Sequence, residues 1–218
     1  HPRPGALDKA AWERPLAEII ADAIVSAYES QQSARLGAGF GQLLGYNINR
    51  RWLNRPTDPS VGVIRVDTEK GKPLAVFGNY ACHAVVMGYD SYLISGDWPG
   101  YSSRLLEAEM GEGSVALFGQ GGAGDVNPLT ENVRQRLANG NPIVSMGPLS
   151  TYYAPHGVNV PGLWDIGDRG GGTFIEAETL ARVYNAEVMR IWKGIQTSDD
   201  IKLWTERVMV DGRADADE

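Results

Sequence analysis

Cysteine and long apolar runs are scarce in this sequence, and each shortage excludes a class of protein. Cys82 is the one cysteine among 218 residues, so neither an internal disulfide nor a zinc ribbon can form. No run of about 18 apolar residues occurs, and the sequence therefore predicts no membrane-spanning helix. No signal peptide is visible, and the chain begins with His1 rather than methionine. We therefore expect a fragment, cut at both ends.

Basic residues are also in the minority. The sequence has 20 Lys and Arg against 27 Asp and Glu, which gives a formal net charge of −7. Proteins that bind nucleic acids concentrate Lys and Arg on one surface, and no such basic stripe is visible. We therefore predict no nucleic-acid partner, while the oligomeric state stays open.

Helical and strand-like spacings of apolar residues alternate along the chain, which predicts an α/β fold with a mixed β-sheet flanked by helices. The predicted strands cover 61–66, 74–82 and 115–119, and the predicted helices cover 7–32, 98–110 and 174–195. A further strand is predicted at 201–210. Clustered glycines, as in 37–45, are typical of tight loops. Residues 129–172 have too little periodicity to predict a regular element.

Polar residues of the kinds found in metal and catalytic sites follow two of the predicted strands. His83 ends the strand 74–82, where its imidazole can point into a cleft and bind zinc. A buried histidine whose ring bonds a backbone carbonyl is the alternative, and position alone favours it. Asp97 precedes a predicted helix, where it either caps the helix or orients a metal-bound histidine as an outer carboxylate.

The segment 119–128 runs from a short strand into a glycine-rich turn. Such a turn either brings backbone N–H groups close to a ligand or is a tight structural turn. It lacks the Lys-Ser/Thr ending of a Walker A loop and the glycine spacing of a dinucleotide site. The sequence also lacks the Gly-x-Ser-x-Gly motif of serine hydrolases. Arg50 and Arg51 can bind carboxylates, although adjacent arginines more often form a solvated surface pair.

Several short motifs, taken in order, resemble one family. They are Ile48-Asn49-Arg50, then Cys82-His83, then Ser95-Gly96-Asp97 with Gly100-Tyr101-x-Ser103, then Gly124-Asp125-Val126-x-Pro128. This series is similar to the N-terminal catalytic domain of the neutral/alkaline non-lysosomal ceramidases. The resemblance implies that residues 1–218 are part of a larger ceramidase-like catalytic domain, truncated at both ends.

The resemblance implies a Zn²⁺ cofactor held by two histidines, a glutamate and a tyrosine. His83 falls on one histidine ligand, and the remaining ligands are expected outside this segment. His1 aligns with a family histidine that serves proton transfer or substrate binding, and Arg50 aligns with an arginine near the site. Asn127 stands where the family has an active-site serine. Asp97, Asp125 and Gly124 are expected near the metal or in the substrate cleft.

These implications predict a zinc-dependent amidohydrolase that hydrolyses the N-acyl amide bond of a lipid-like substrate with metal-activated water. The alternative is a ceramidase-fold binding or structural protein that has lost catalysis, which Asn127 favours because asparagine is not a nucleophile. The 218-residue segment alone is expected to be inactive. An extracytoplasmic or secreted location follows from the resemblance only.

Overall fold

The computed structural model describes residues 15–50, 55–87, 93–138, 173–202 and 205–209. The chain divides into two compact units, His1–Ser33 and Ala34–Glu218. In the described part of the first unit, helix α1 (Leu16–Glu29) begins after Pro15, and all of its residues are exposed. The helix predicted over 7–32 is therefore confirmed for its central part. Residues 7–14 lie outside the described residues, and 30–32 follow the end of the helix.

A mixed four-stranded sheet forms the centre of the second unit. The sheet order is β1-β3-β4-β5, in which β5 is parallel to β4 and the other neighbours are antiparallel. The four strands are β1 (Ala34–Gln42), β3 (Ser60–Thr68), β4 (Pro73–Tyr80) and β5 (Val115–Gln120). The three strands predicted from apolar runs are thus confirmed, together with the α/β class. Strand β1 was not predicted.

Strand β1 was missed because its glycines were taken for loop residues. Gly37, Gly39 and Gly41 alternate along β1. Gly41 and Gly39 face helix α4 (Phe174–Gly194), and Gly37 faces the two residues that follow it. A Cβ at Gly37 would lie 2.4 Å from the carbonyl oxygen of Gln196, and one at Gly41 would lie 2.1 Å from the Glu187 carboxylate. Alternate glycines therefore allow the helix to approach the sheet, as expected where backbone must come close.

Helices α2 (Asp97–Met110) and α4 pack on one face of this sheet. Burial alternates along the strands, because successive side chains of a strand point to opposite faces. The Trp98 ring makes edge-to-face contacts with the rings of Tyr184 and Phe118, whose centroids lie 5.3 and 4.8 Å away. The core also contains Val61, Val63, Val76, Tyr80, Leu106 and Val188. This core fixes the position of the segment that joins β4 to α2.

Two predictions about irregular regions need correction. Residues 129–172 include a short helix, α3 (Glu131–Ala138), while 139–172 lie outside the described residues. The strand predicted at 201–210 is wrong for the residues described there, none of which is in a strand. The chain instead contributes a single bridge, in which the backbone of Ser198 pairs with Leu36 at the edge of the sheet. No helix in the described part of the chain is long and apolar enough to cross a bilayer.

An ion pair between half-buried Arg65 and buried Asp67 lies at the carboxyl end of α4. The Arg65 guanidinium lies 3.7 Å from the centroid of the Trp192 ring and donates to the carbonyls of Trp192 and Ile195. Its Nε lies 2.9 Å from a carboxylate oxygen of Asp67, which is 1% exposed. A cation at this end complements the helix dipole, and the pair leaves neither charge alone in the core.

Candidate active site

His83 lies three residues after the end of β4, and one carbonyl oxygen holds both its backbone and its ring. The backbone N–H of His83 and its Nδ1 both reach the Val126 carbonyl oxygen, at 3.1 and 3.0 Å. A carbonyl only accepts hydrogen bonds, so Nδ1 carries the ring proton and Nε2 keeps its lone pair. The ring is half-buried. The ring therefore bonds a backbone carbonyl, as in the alternative considered from the sequence, and its Nε2 lone pair remains for a metal ion.

A short two-stranded ribbon brings the other predicted residues to this carbonyl. Strand β2 (Asn47–Asn49) pairs antiparallel with β6 (Val126–Pro128), and Asn49 lies opposite Val126. The backbone N–H of Arg50 then donates to the Asp125 carbonyl at 2.7 Å. Arg50, which follows β2, therefore lies beside Asp125, where the glycine-rich turn leads into β6.

The Arg50 guanidinium spans that turn. It donates to the Gly124 carbonyl at 2.8 Å and to Asn127 Oδ1 at 3.4 Å. Arginine is only a donor, so the Asn127 oxygen faces Arg50 and its NH₂ group points elsewhere. Asn127 is 8% exposed. Arg50, Gly124 and Asn127 thus form one hydrogen-bonded group next to the Val126 carbonyl that holds His83.

Asp125 holds the ribbon together. Its Oδ2 accepts a hydrogen bond from Asn49 Nδ2 at 2.7 Å, and Asn49 is 3% exposed. A second asparagine, Asn47, donates to the carbonyls of Asp58 and Ala81 and accepts from the Thr57 hydroxyl. These two asparagines were not predicted as site residues. Their only sequence signal is polar residues on both sides of Ile48 in a short strand.

Asp97 meets the capping role considered from the sequence only in part. Gly96 occupies the N-cap position of α2, but Asp97 Oδ1 accepts a hydrogen bond from the Trp98 N–H in the first turn of that helix. The ring nitrogen of His83 that would meet an orienting carboxylate is bonded to Val126 instead. The Asp97 carboxylate accepts hydrogen bonds from the backbone N–H groups of Val86, Met87 and Trp98. It therefore binds the segment that follows His83 rather than the ring itself.

The described residues do not by themselves form a metal site. Among them, no group of three or more His, Cys, Asp and Glu is arranged to bind a metal ion. Burial raises the pKa of the Cys82 thiol far above its ordinary value, and the negative charge of Asp97 adds to this effect. A thiol that stays protonated is a poor ligand, and Cys82 is fully buried in the core. His1 and Arg51 lie outside the described residues.

A cleft with a volume of about 420 Å³ lies at the other end of the ribbon. Tyr46, Leu129 and Leu180 give it apolar walls, and Thr130 and Arg134 add polar groups. The backbone N–H of Leu129 donates to the Tyr46 carbonyl, so the ribbon also forms one wall of this cleft.

Comparison with known proteins agrees with the order of motifs. The model of the "Neutral/alkaline non-lysosomal ceramidase, N-terminal" family matches residues 13–141. Neutral ceramidase B of Dictyostelium discoideum is 36% identical over 131 residues, which cover 51% of this chain and 18% of that protein. Neutral ceramidase A of the same organism is 36% identical over 132 residues, with the same coverage. The chain therefore spans about a fifth of the length of these relatives.

Two solved structures share the fold. One is a neutral ceramidase from Pseudomonas aeruginosa, with a TM-score of 0.52, and the other is a ceramidase complexed with C2, with a TM-score of 0.55. In both, 21% of the residues are identical, and the match covers 80% of this chain and 25% of the other. At this identity the likeness shows the fold alone.

Proposed function

The chain belongs to the neutral/alkaline non-lysosomal ceramidase family, and on that premise we propose that its protein is a zinc-dependent amidohydrolase. The proposed substrate is a lipid-like N-acyl amide, and the proposed reaction is hydrolysis of its amide bond. Family membership and the two Dictyostelium relatives support an amide of the ceramide class. An extracytoplasmic location is proposed on the same family likeness.

The hydrogen bonding of the His83 ring is the observation that carries this proposal. Histidines that bind metals nearly always donate their second ring N–H to a carbonyl or a carboxylate, which fixes the tautomer and the ring direction. The Nδ1 bond from His83 to the Val126 carbonyl meets this requirement. His83 therefore fits as one zinc ligand through Nε2, and the family likeness implies further ligands outside this segment.

Zinc, when bound, lowers the pKa of water toward neutrality and so supplies a nucleophile for the amide carbonyl. The chain's own residues would bind and orient the substrate. The Arg50 guanidinium places a positive charge beside Asn127, and its hydrogen bond fixes the direction of the Asn127 amide. The NH₂ group of Asn127 is then a donor for a substrate carbonyl or hydroxyl oxygen.

Asn127 also supports a second candidate function. The resemblance places a serine at this position, and asparagine donates hydrogen bonds but supplies no hydroxyl nucleophile. A binding protein that keeps the fold and the hydrogen bonds while lacking hydrolysis is consistent with this change. The two candidates differ in one observable, which is release of fatty acid.

Fatty-acid release from a ceramide and from a shorter N-acyl amide tests the proposal. The protein that carries this chain is assayed as purified, after removal of metal by a chelator, and after zinc is added back. We expect release that the chelator abolishes and zinc restores. Release that is unaffected by the chelator would exclude the zinc mechanism. Binding of the amide without release would favour the second candidate.

A further inference from the structure

Segment 83–87, here called the His83 loop, is held from the first turn of α2. Its backbone N–H groups at Val86 and Met87 donate to the two carboxylate oxygens of Asp97, at 3.2 and 2.8 Å. At the other end of the loop, the His83 carbonyl accepts a hydrogen bond from Trp98 Nε1 at 3.0 Å. Two consecutive residues of α2 therefore bind both ends of the loop.

Asp97 occupies an unusual conformation to make these bonds. Its φ angle of +51° lies in the left-handed region, and no other non-glycine residue in the described part of the chain has a positive φ. Aspartate and asparagine tolerate this region better than most other non-glycine residues. The Ser95 hydroxyl accepts a hydrogen bond from the Asp97 backbone at 3.0 Å and supports the conformation.

Asp97 is 6% exposed, and both of its carboxylate oxygens accept hydrogen bonds. Oδ1 accepts from Val86 and Trp98, and Oδ2 accepts from Met87. An asparagine of the same size has one acceptor oxygen, so its NH₂ group would face a backbone N–H of the loop. A buried carboxylate is costly unless such donors surround it. The site thus requires a carboxylate, rather than any polar residue of this size.

Trp98 gives the arrangement its rigidity. Its side chain is fully buried and packs edge-to-face against Tyr80, Phe118 and Tyr184. The ring thereby links the His83 carbonyl to the core of the second unit. Because the loop backbone is fixed at both ends, the His83 ring is presented to the Val126 carbonyl in one orientation.

We propose that Asp97 is a positioning residue, which fixes the His83 loop and so the direction of His83 Nε2. The proposal rests on the proposed function, in which that nitrogen binds zinc. It differs from the role considered from the sequence, because the carboxylate acts on the loop backbone and does not touch the ring. The expected effect of losing it is a weaker metal site, with the fold retained.

The test compares Asp97→Asn with Ser102→Ala in the complete protein that carries this chain. Ser102 lies in the same helix and donates to Asn185 in α4 at 2.6 Å, so its loss weakens the packing of α2 without touching the loop. We measure the hydrogen exchange of the Val86 and Met87 amides, the ring nitrogen signals of His83, and the affinity for zinc. Asp97→Asn should speed exchange at least about tenfold at the loop amide that faces the new NH₂ group, shift the His83 signals and weaken zinc binding by about 10-fold or more.

Ser102→Ala should leave the hydrogen-exchange rates of these amides and the zinc affinity within about twofold of the wild type. Equal changes in the two variants would overturn the positioning role, even if zinc binds normally. If wild-type protein binds no zinc, the proposed function fails, while exchange and ring signals still decide the positioning role. If Asp97→Asn does not fold, the wild type decides: rapid exchange at Val86 and Met87 would contradict the proposal.

Discussion

Replacing Gly78 with alanine should destabilise the second unit through contact with one side chain. A Cβ at Gly78 would lie 2.2 Å from the Tyr184 hydroxyl oxygen and 3.2 Å from its Cζ, whereas ordinary contact begins near 3.4 Å. The overlap with the hydroxyl is therefore about 1.2 Å, and it lies in a core where Tyr184 is 1% exposed. Overpacking of this kind costs about 1–3 kcal/mol of unfolding free energy.

The Tyr184 hydroxyl offers a way to isolate that contact. It is buried and has no hydrogen-bond partner among the described residues, so Tyr184→Phe should be neutral or slightly stabilising. With the hydroxyl gone, the nearest atom to the new Cβ is Cζ, and Gly78→Ala should cost at least about 1 kcal/mol less than in the wild type. Urea unfolding of the wild type, both single variants and the double variant measures this coupling.

Gly62→Ala is the matched control. Gly62 lies in the neighbouring strand β3, and its nearest neighbours would be Phe40 and Asn79 at 3.5 and 3.8 Å, which is ordinary contact. This change should be neutral or stabilise by about 0.5 kcal/mol, because alanine loses less chain entropy than glycine. If Gly78→Ala is no more destabilising than Gly62→Ala, or if no coupling to Tyr184 appears, the packing explanation is wrong.

Two further substitutions test charged groups. Asp67→Asn removes the charged partner of the half-buried Arg65 guanidinium and should cost about 1–3 kcal/mol in urea unfolding, whereas a loss below about 0.5 kcal/mol would show that Asp67 is dispensable. Arg50→Lys keeps the charge but cannot reach both Gly124 and Asn127, so it should lower kcat/KM at least about tenfold with little change in the melting temperature, and unchanged kinetics would refute a role for the two-pronged contact.

The sequence predicted those parts of the fold in which apolar periodicity is strong. Strands β3, β4 and β5 and helices α2 and α4 follow from runs of buried residues, and each was placed within a few positions. Strand β1 was missed because its core-facing positions are glycines, which carry no hydrophobic signal. The reason for those glycines is the close approach of α4, which is a tertiary property that no local pattern records.

The candidate site was predictable to a similar degree. The order of the short motifs along the chain assigned His83, Arg50 and the 124–127 turn to the pattern of one family. The β2–β6 ribbon explains how these residues come close in space. The local sequence gave no indication that a single carbonyl, Val126, holds both the backbone and the ring of His83. The two bonds from Asp97 to the Val86 and Met87 amides were equally absent from the sequence pattern, because a carboxylate at a helix start predicts bonds to that helix and none to a separate loop.

The zinc content of the purified protein decides whether His83 is a metal ligand. The protein that carries this chain is purified as wild type, as His83→Ala and as His156→Ala, a histidine to which no role is assigned. Each form is dialysed against a weak chelator before metal analysis. We expect about one zinc per chain in the wild type and in His156→Ala, and almost none in His83→Ala. One zinc per chain in folded His83→Ala would contradict the assignment of His83 as a ligand.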